Sequence, residues 1–256
     1  MATRSTGTAD LARALAVAAA ALLQAVFGGL GGSGALGTSV GEVANAHPQP
    51  LLPGGGAFMI WNVIYLAVLA LAGWQLLPGR RSRAAHRRTG WWLAAAGVLN
   101  AAWIIVFSRS WIALSEVVIV VLLLVLVMAW RALASTGPAE SRLDRLLLYG
   151  TVSIYTGWVA VASVVGALTT IADLRDTVPG DGLAWAALIV TAALIALGLA
   201  FGRGVLGFAL AVVWALGWIA AATEGSLMIA VIVLAGLTVV AVAAGSVRRR
   251  TRWLLG

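Results

Sequence analysis

Apolar residues occur along this chain in eight long blocks, and the short stretches between the blocks hold most of the charged residues. A helix needs about 20 apolar residues to cross the hydrocarbon core of a bilayer, and each block is close to that length. The third and seventh blocks are the shortest. The pattern predicts eight membrane-spanning helices: Leu11–Leu30, Phe58–Leu77, Trp91–Phe107, Ile112–Ala134, Leu146–Ile171, Leu183–Phe201, Val205–Ala222 and Leu227–Val247.

The overall composition indicates the same class of protein. Of the 256 residues, 62% are hydrophobic and 10% are charged, and the mean hydropathy is +1.01. A soluble domain carries roughly a quarter charged residues. There is no cysteine, which excludes disulfides and thiolate metal sites. We therefore predict an all-α integral membrane protein.

The positive charges predict the orientation of the spans. All 17 basic residues are arginine. Segments with excess arginine remain in the cytoplasm, and this rule places both the N-terminus and the C-terminus inside. The basic runs "RRSRAAHRR" and "RRRTR" then face anionic lipid headgroups, so we expect no nucleic-acid partner. Fifteen arginines lie inside in this orientation, all except Arg109 and Arg175.

The spans differ in character along the chain. Spans two to five hold most of the polar and aromatic residues, whereas the last three are almost entirely Ala, Val, Leu, Ile and Gly, with Trp185, Trp214 and Trp218 as exceptions. We predict a five-helix unit over 1–171, an outside loop at 172–182, a three-helix extension over 183–247 and a basic cytoplasmic tail at 248–256. An alternative for the first block is a signal peptide cleaved near "GSGALG".

Aromatic and amide side chains share helical faces in three spans. Asn62 lies between Trp61 and Tyr65, which are one turn apart. Asn100 is followed at i+3 and i+7 by Trp103 and Phe107. Two aromatics also lie at i and i+3 in the fifth span, Tyr155 and Trp158.

Two interpretations of these residues compete. Asparagines can join transmembrane helices by hydrogen bonds, and aromatics near span ends often form an interfacial belt. Alternatively, the same residues line a ligand pocket, because an amide inside a span must face protein, water or a ligand. Glu116 is a second polar group within a span; it either serves a function or pairs with Arg109 near the surface. No catalytic motif is present, so the residues themselves give no indication of an enzyme.

Two stretches resemble the tryptophan-rich sensory protein/translocator protein (TspO/MBR) family. "PGGGAFMIWNVIY" resembles the second-helix motif, and "LNAAWIIVF" resembles that of the third helix. "YTGWVAVAS" is similar to the last helix. The resemblance covers roughly residues 8–171. The chain departs from the family where "YGTVS" replaces a proline near the start of the fifth span, and in its three additional spans.

The resemblance implies a five-helix bundle whose pocket binds flat hydrophobic ligands, above all porphyrin or haem, and in some members sterols. The first outside loop, with His47, Pro53 and Gly54, would cover the pocket. His47 could also ligate a haem iron, although a lone loop histidine is more often solvated. No cofactor is obligatory, and the only chemistry implied is a weak light-dependent breakdown of porphyrin. The expected lining is Trp61, Asn62, Tyr65, Asn100, Trp103, Phe107, Tyr155 and Trp158.

The leading hypothesis is therefore a porphyrin- or haem-binding sensor in tetrapyrrole- or stress-linked regulation. We expect it in the plasma membrane of a bacterium, in contact with the lipid bilayer, and potentially as a homodimer. The arginine-only basic residues, with the abundance of Ala, Gly and Val, indicate a GC-rich genome. The alternatives are a small-solute transporter, a scaffold whose partner contacts the basic cytoplasmic face, and an enzyme of lipid metabolism. The last lacks the acidic motif that metal-diphosphate chemistry needs.

Overall fold

The computed structural model describes residues 3–249 and 251–256, and all regular structure in these two ranges is helical. Eight helices are long and apolar enough to cross a membrane. The long helices are α1 (Thr3–Gly32), α3 (Ile60–Leu76), α4 (Ala84–Ser108), α5 (Ile112–Ala134), α7 (Thr151–Arg175), α8 (Asp181–Phe201), α9 (Val205–Ala222) and α10 (Gly225–Arg249). The short elements are α2 (Val40–Asn45), α6 (Arg142–Asp144), α11 (Thr251–Leu255), a 3-10 turn (Gly55–Met59) and a π-helical segment (Arg145–Gly150).

The eight predicted spans are confirmed, and two of them, α5 and α9, have the predicted bounds. The third span is longer than predicted because α4 begins at Ala84, seven residues before Trp91. The added turns carry Arg87, whose Nη2 lies 2.5 Å from Oδ2 of Asp10 on α1. Arginines that pair with a neighbouring helix allow α4 to continue beyond its apolar block.

Helix α7 lies at the centre of the bundle. It contacts α3, α5, α8 and α9, and its span is the most buried of the eight among the described residues. On one side α1 packs against α3 and α4, and α4 packs against α5. Helices α8 and α10 are the most exposed of the long helices. The arrangement places α9 against α7, within reach of the same helices that carry the predicted pocket residues.

Glycines set the distance between packed helices. A Cβ added at Gly97 on α4 would lie 2.8 Å from the carbonyl oxygen of Ala20 on α1. A Cβ at Gly157 on α7 would lie 2.5 Å from the carbonyl oxygen of Phe208 on α9. Apolar helices have no hydrophobic reason to associate in lipid, so backbone approach of this kind is a main source of attraction between them.

Ion pairs formed by two buried aspartates close the arginine-rich end of the bundle. Asp10 of α1 accepts hydrogen bonds from Arg87 of α4. Asp144 of α6 accepts from Arg83 and from the indole nitrogen of Trp74, the latter at 2.8 Å. Removing one partner of such a pair leaves an uncompensated buried charge. These bonds tie together the cytoplasmic ends of four segments.

We predict that Gly157→Ala lowers the free energy of unfolding by about 1–3 kcal/mol, because its methyl group would force α9 away from α7. Gly217→Ala on α9 is the matched control, since nothing lies within 4 Å of a Cβ at that position. Thermal unfolding in detergent, followed by circular dichroism, measures both. Equal effects of the two substitutions would contradict the role assigned to the α7–α9 contact.

Candidate functional site

An apolar cavity of about 60 Å³ lies at the outer end of the bundle. Its walls come from α3, α4, α5, α7 and α9, and the first outside loop covers it. The residues that line it include Ala44, Leu52, Pro53, Phe58, Trp61, Trp103, Phe107, Ser115, Glu116, Trp158, Val161, Gly166, Ala215 and Ile219.

Trp61 is the centre of the aromatic cluster beside this cavity. Its ring stacks on Tyr65 with a centroid distance of 5.6 Å and lies 5.8 Å from the ring of Trp103. Tyr155 and Trp158 of α7 meet it edge-on, at 5.9 and 6.0 Å. These are favourable separations for aromatic pairs. Three helices thus bring their aromatic faces to one point.

Four of the eight predicted pocket residues line the cavity itself: Trp61, Trp103, Phe107 and Trp158. Tyr65, Asn100 and Tyr155 lie behind them. The hydroxyl of Tyr65 donates to Oδ1 of Asn100 at 3.3 Å. The hydroxyl of Tyr155 donates to Oε1 of Gln24 on α1 at 3.1 Å. These hydrogen bonds hold the aromatic rings in position from the rear of the cavity wall.

Asn62 does not join the site. Its side chain is exposed on the outside of α3, with no hydrogen bond to any residue in the described ranges. Each residue of a helix is turned about 100° from the one before it. With Trp61 and Tyr65 directed inward, Asn62 is turned out of the bundle. It lies close to the outer end of α3, where headgroups and water can solvate the amide.

Several buried polar atoms at the cluster have no partner among the described residues. They include the indole nitrogens of Trp61 and Trp158, Nδ2 of Asn100 and Oε2 of Glu116. The pairing of Glu116 with Arg109 does not occur, because the Arg109 Nε donates to the carbonyl oxygen of Leu36 at 2.8 Å. Buried polar groups without partners are rare in folded proteins. Three of these four atoms belong to residues that line the cavity: Trp61, Trp158 and Glu116.

The glycine run of the covering loop allows α9 to pack against it. A Cβ at Gly56 would lie 2.2 Å from the ring of Trp218, and one at Gly54 would lie 3.1 Å from it. The Gly54 N–H donates to the carbonyl oxygen of Trp218 at 3.2 Å. The Trp214 indole donates to the carbonyl oxygen of Ala57 at 3.0 Å. The loop is therefore held by α9, a helix of the predicted extension.

The contribution of α9 was missed by sequence reasoning. Ala215 and Ile219 line the cavity, and Trp214 and Trp218 hold its cover. The sequence does contain one signal for this role of α9: Trp214 and Trp218 stand one turn apart in a segment of small and aliphatic residues. Two indoles on one face indicate a packed partner, but the sequence did not identify the loop as that partner.

The three loop residues that were predicted to cover the pocket do not all lie at the cavity. Pro53 lines the cavity and Gly54 contacts α9 beside it. His47 lies outside the cavity, where its Nδ1 is 2.8 Å from the Val43 carbonyl oxygen and its Nε2 is 3.2 Å from Oδ1 of Asp173. The Nε2 contact ties the loop to the end of α7, whereas the Nδ1 contact lies within the loop. Within the described residues, no group of three His, Cys, Asp or Glu side chains could hold a metal ion.

The start of the covering loop is ordered by a capping box on α2. Ser39 caps the helix through the Glu42 N–H, and the Glu42 carboxylate accepts from the Ser39 N–H and hydroxyl. These hydrogen bonds hold the pKa of Glu42 below its ordinary value. The cap is therefore present at neutral pH and is lost as the pH falls through the lowered pKa.

The fold and the site together define an eight-helix membrane protein with an aromatic cavity beneath an outer loop. A family model described as "TSPO-like protein" matches residues 14–246. The chain belongs to this TSPO-like family, which confirms the resemblance drawn from the second and third spans. The match also includes the three helices after residue 182. No curated protein and no solved structure matches the chain.

We predict that Gly56→Ala releases the covering loop, because its methyl group would collide with the ring of Trp218. The amides of residues 50–57 would then exchange hydrogen faster than in the wild type. Gly55→Ala is the neighbouring control, since a Cβ there has open space. Hydrogen exchange followed by mass spectrometry compares the two variants. Unchanged protection in the Gly56→Ala protein would contradict the packing described here.

Proposed function

We propose that this protein binds a planar, mostly apolar ligand of the porphyrin or haem type in the aromatic cavity. Its role would be that of a sensor or regulator in the bacterial plasma membrane. The observation that carries the proposal is the convergence of Trp61, Trp103 and Trp158 from three helices on one cavity. Binding sites for small molecules are typically concave and apolar, with a few placed polar groups.

The chemistry of the cavity favours a flat aromatic ligand. Indole faces stack on other π-systems, and the indole N–H groups can donate hydrogen bonds to polar groups of the ligand. The N–H groups of Trp61 and Trp158 and the Oε2 of Glu116 have no protein partner in the described ranges. A ligand with hydrogen-bonding groups at its edge would satisfy them. An aliphatic cavity would provide neither the stacking faces nor these contacts.

The size of the cavity implies that the covering loop moves when a ligand binds. A cavity of about 60 Å³ holds little more than a few water molecules. Pockets for drug-sized ligands measure about 300–1,000 Å³. The cover is connected to the helices by a small number of contacts, including the Thr223 hydroxyl with the carbonyl oxygen of Pro50 at 3.2 Å. Because ion pairs close the arginine-rich end, the ligand would enter from the outer side.

We predict saturable quenching of tryptophan emission when protoporphyrin IX is titrated into the detergent-purified protein. The Trp61→Leu/Trp103→Leu double variant should bind about tenfold or more weakly, because two stacking surfaces are lost. The shift of the porphyrin absorption band gives a second readout that does not depend on the number of tryptophans.

The matched control is Trp91→Leu/Trp111→Leu, which also removes two indoles. These side chains are 59% and 58% exposed and lie outside the cavity. The control should bind porphyrin as the wild type does, and circular dichroism confirms that both variants are folded. The proposal fails if the wild type shows no saturable binding, or if both double variants lose affinity equally.

A further inference from the structure

A second cavity lies at the arginine-rich end of the bundle, lined by residues of α3, α7 and α9 among others. Its volume is about 360 Å³, several times that of the aromatic cavity. The walls come from α3, the π-helical segment, α7, α9 and α11. Apart from two arginines and one threonine, every side chain that lines it is apolar or glycine. We call it the inner groove.

The inner groove extends from the membrane surface into the bilayer. Arg142 and Arg145 lie at its cytoplasmic end, whereas Ile154 and Ala67 lie deeper. Nine residues separate Arg145 from Ile154, which corresponds to about 13 Å along a helix. Leu146 and Leu210 are mostly exposed at its rim, so the groove is open to lipid along its length. Its shape and depth fit an acyl chain.

The two arginines at the mouth of the groove have no counter-charge among the residues that the structure describes. Arg83 and Arg87 each pair with an aspartate, whereas neither Arg142 nor Arg145 forms an ion pair with a described residue. The Nε of Arg145 is buried and has no hydrogen-bond partner there. Its sequence neighbour Asp144 is already bound by Arg83, Trp74 and Ser141. Two uncompensated guanidinium groups therefore stand above an apolar groove.

The local backbone is unusual at this point. Residues Arg145–Gly150 form a π-helical segment between α6 and α7. This wider turn supplies Arg145, Leu146, Leu147 and Gly150 to the lining. Runs of π-helix are rare and occur frequently at functional sites. This π-helical segment directly precedes α7, near the position where the family resemblance predicts a proline.

We propose that the inner groove binds one anionic phospholipid from the cytoplasmic leaflet. Arg142 and Arg145 contact the phosphate, and an acyl chain lies along Leu147, Ile154 and Ala67. Arginine binds phosphate by paired hydrogen bonds, and basic pockets between transmembrane helices on this side recognise anionic headgroups. A soluble anion would use the arginines alone, whereas the apolar lining below them requires a ligand with a tail.

The test is binding of phosphatidylglycerol and phosphatidylcholine to the full-length protein, followed by native mass spectrometry. We expect the wild type to bind phosphatidylglycerol about tenfold more tightly, and Arg142→Gln/Arg145→Gln to lose that preference. Arg81→Gln/Arg88→Gln removes two positive charges from the same face of the membrane and should retain it. Ala67→Phe fills the groove without a change of charge and should weaken both lipids.

Each contrary result has a definite meaning. Equal loss in both arginine double variants would show attraction by the whole basic surface and would overturn the site. Undiminished binding in Ala67→Phe would show that only the headgroup binds. Displacement of phosphatidylglycerol by millimolar inorganic phosphate would identify a phosphate site instead of a lipid site. Porphyrin titration of the same variants separates this proposal from that for the aromatic cavity, because none of them changes a residue lining that cavity.

Discussion

The close contact between α7 and α9 at Gly157 is the constraint on which the site depends. Because the backbones meet there, α9 is near enough for Ala215 and Ile219 to complete the cavity wall. The same approach brings Trp218 against the glycine run of the covering loop. In an apolar solvent the helices must satisfy their own backbone groups, so small residues determine how closely they pack. A larger side chain at this single contact would displace both a wall and the cover.

The two ends of the bundle are closed by different means. At the arginine-rich end, Asp10 and Asp144 are buried with charged partners. At the outer end the cover is held by single hydrogen bonds and by the packing of one indole on glycine. Breaking a buried charge pair costs several kcal/mol, whereas one neutral hydrogen bond contributes about 1 kcal/mol. This difference supports the proposal that the outer end opens to admit a ligand.

The arginines of this chain serve three distinct physical purposes. Their distribution orients the spans across the membrane. Arg83 and Arg87 also form ion pairs with two buried aspartates, Asp144 and Asp10. Arg142 and Arg145 have no such partner in the described part of the chain and stand at the mouth of the inner groove. One residue type with one sequence signal thus has a topological, a structural and a proposed ligand-binding role.

The sequence by itself determined the number of spans, the bounds of α5 and α9, and the aromatic faces that meet at Trp61. It could do so because apolar length and helical spacing are local properties. The direction of the Asn62 side chain is also a local property. We predicted that it faces the pocket, but it points outward because it is rotated about 100° from Trp61. Only the tertiary structure decided that α9 completes the site. Within the described ranges, it also decided that Oε2 of Glu116 has no partner, and that Asp144 pairs with Arg83 while Arg145 has no counter-charge. These depend on contacts between residues up to 173 positions apart, such as Pro50 with Thr223, which no local pattern encodes.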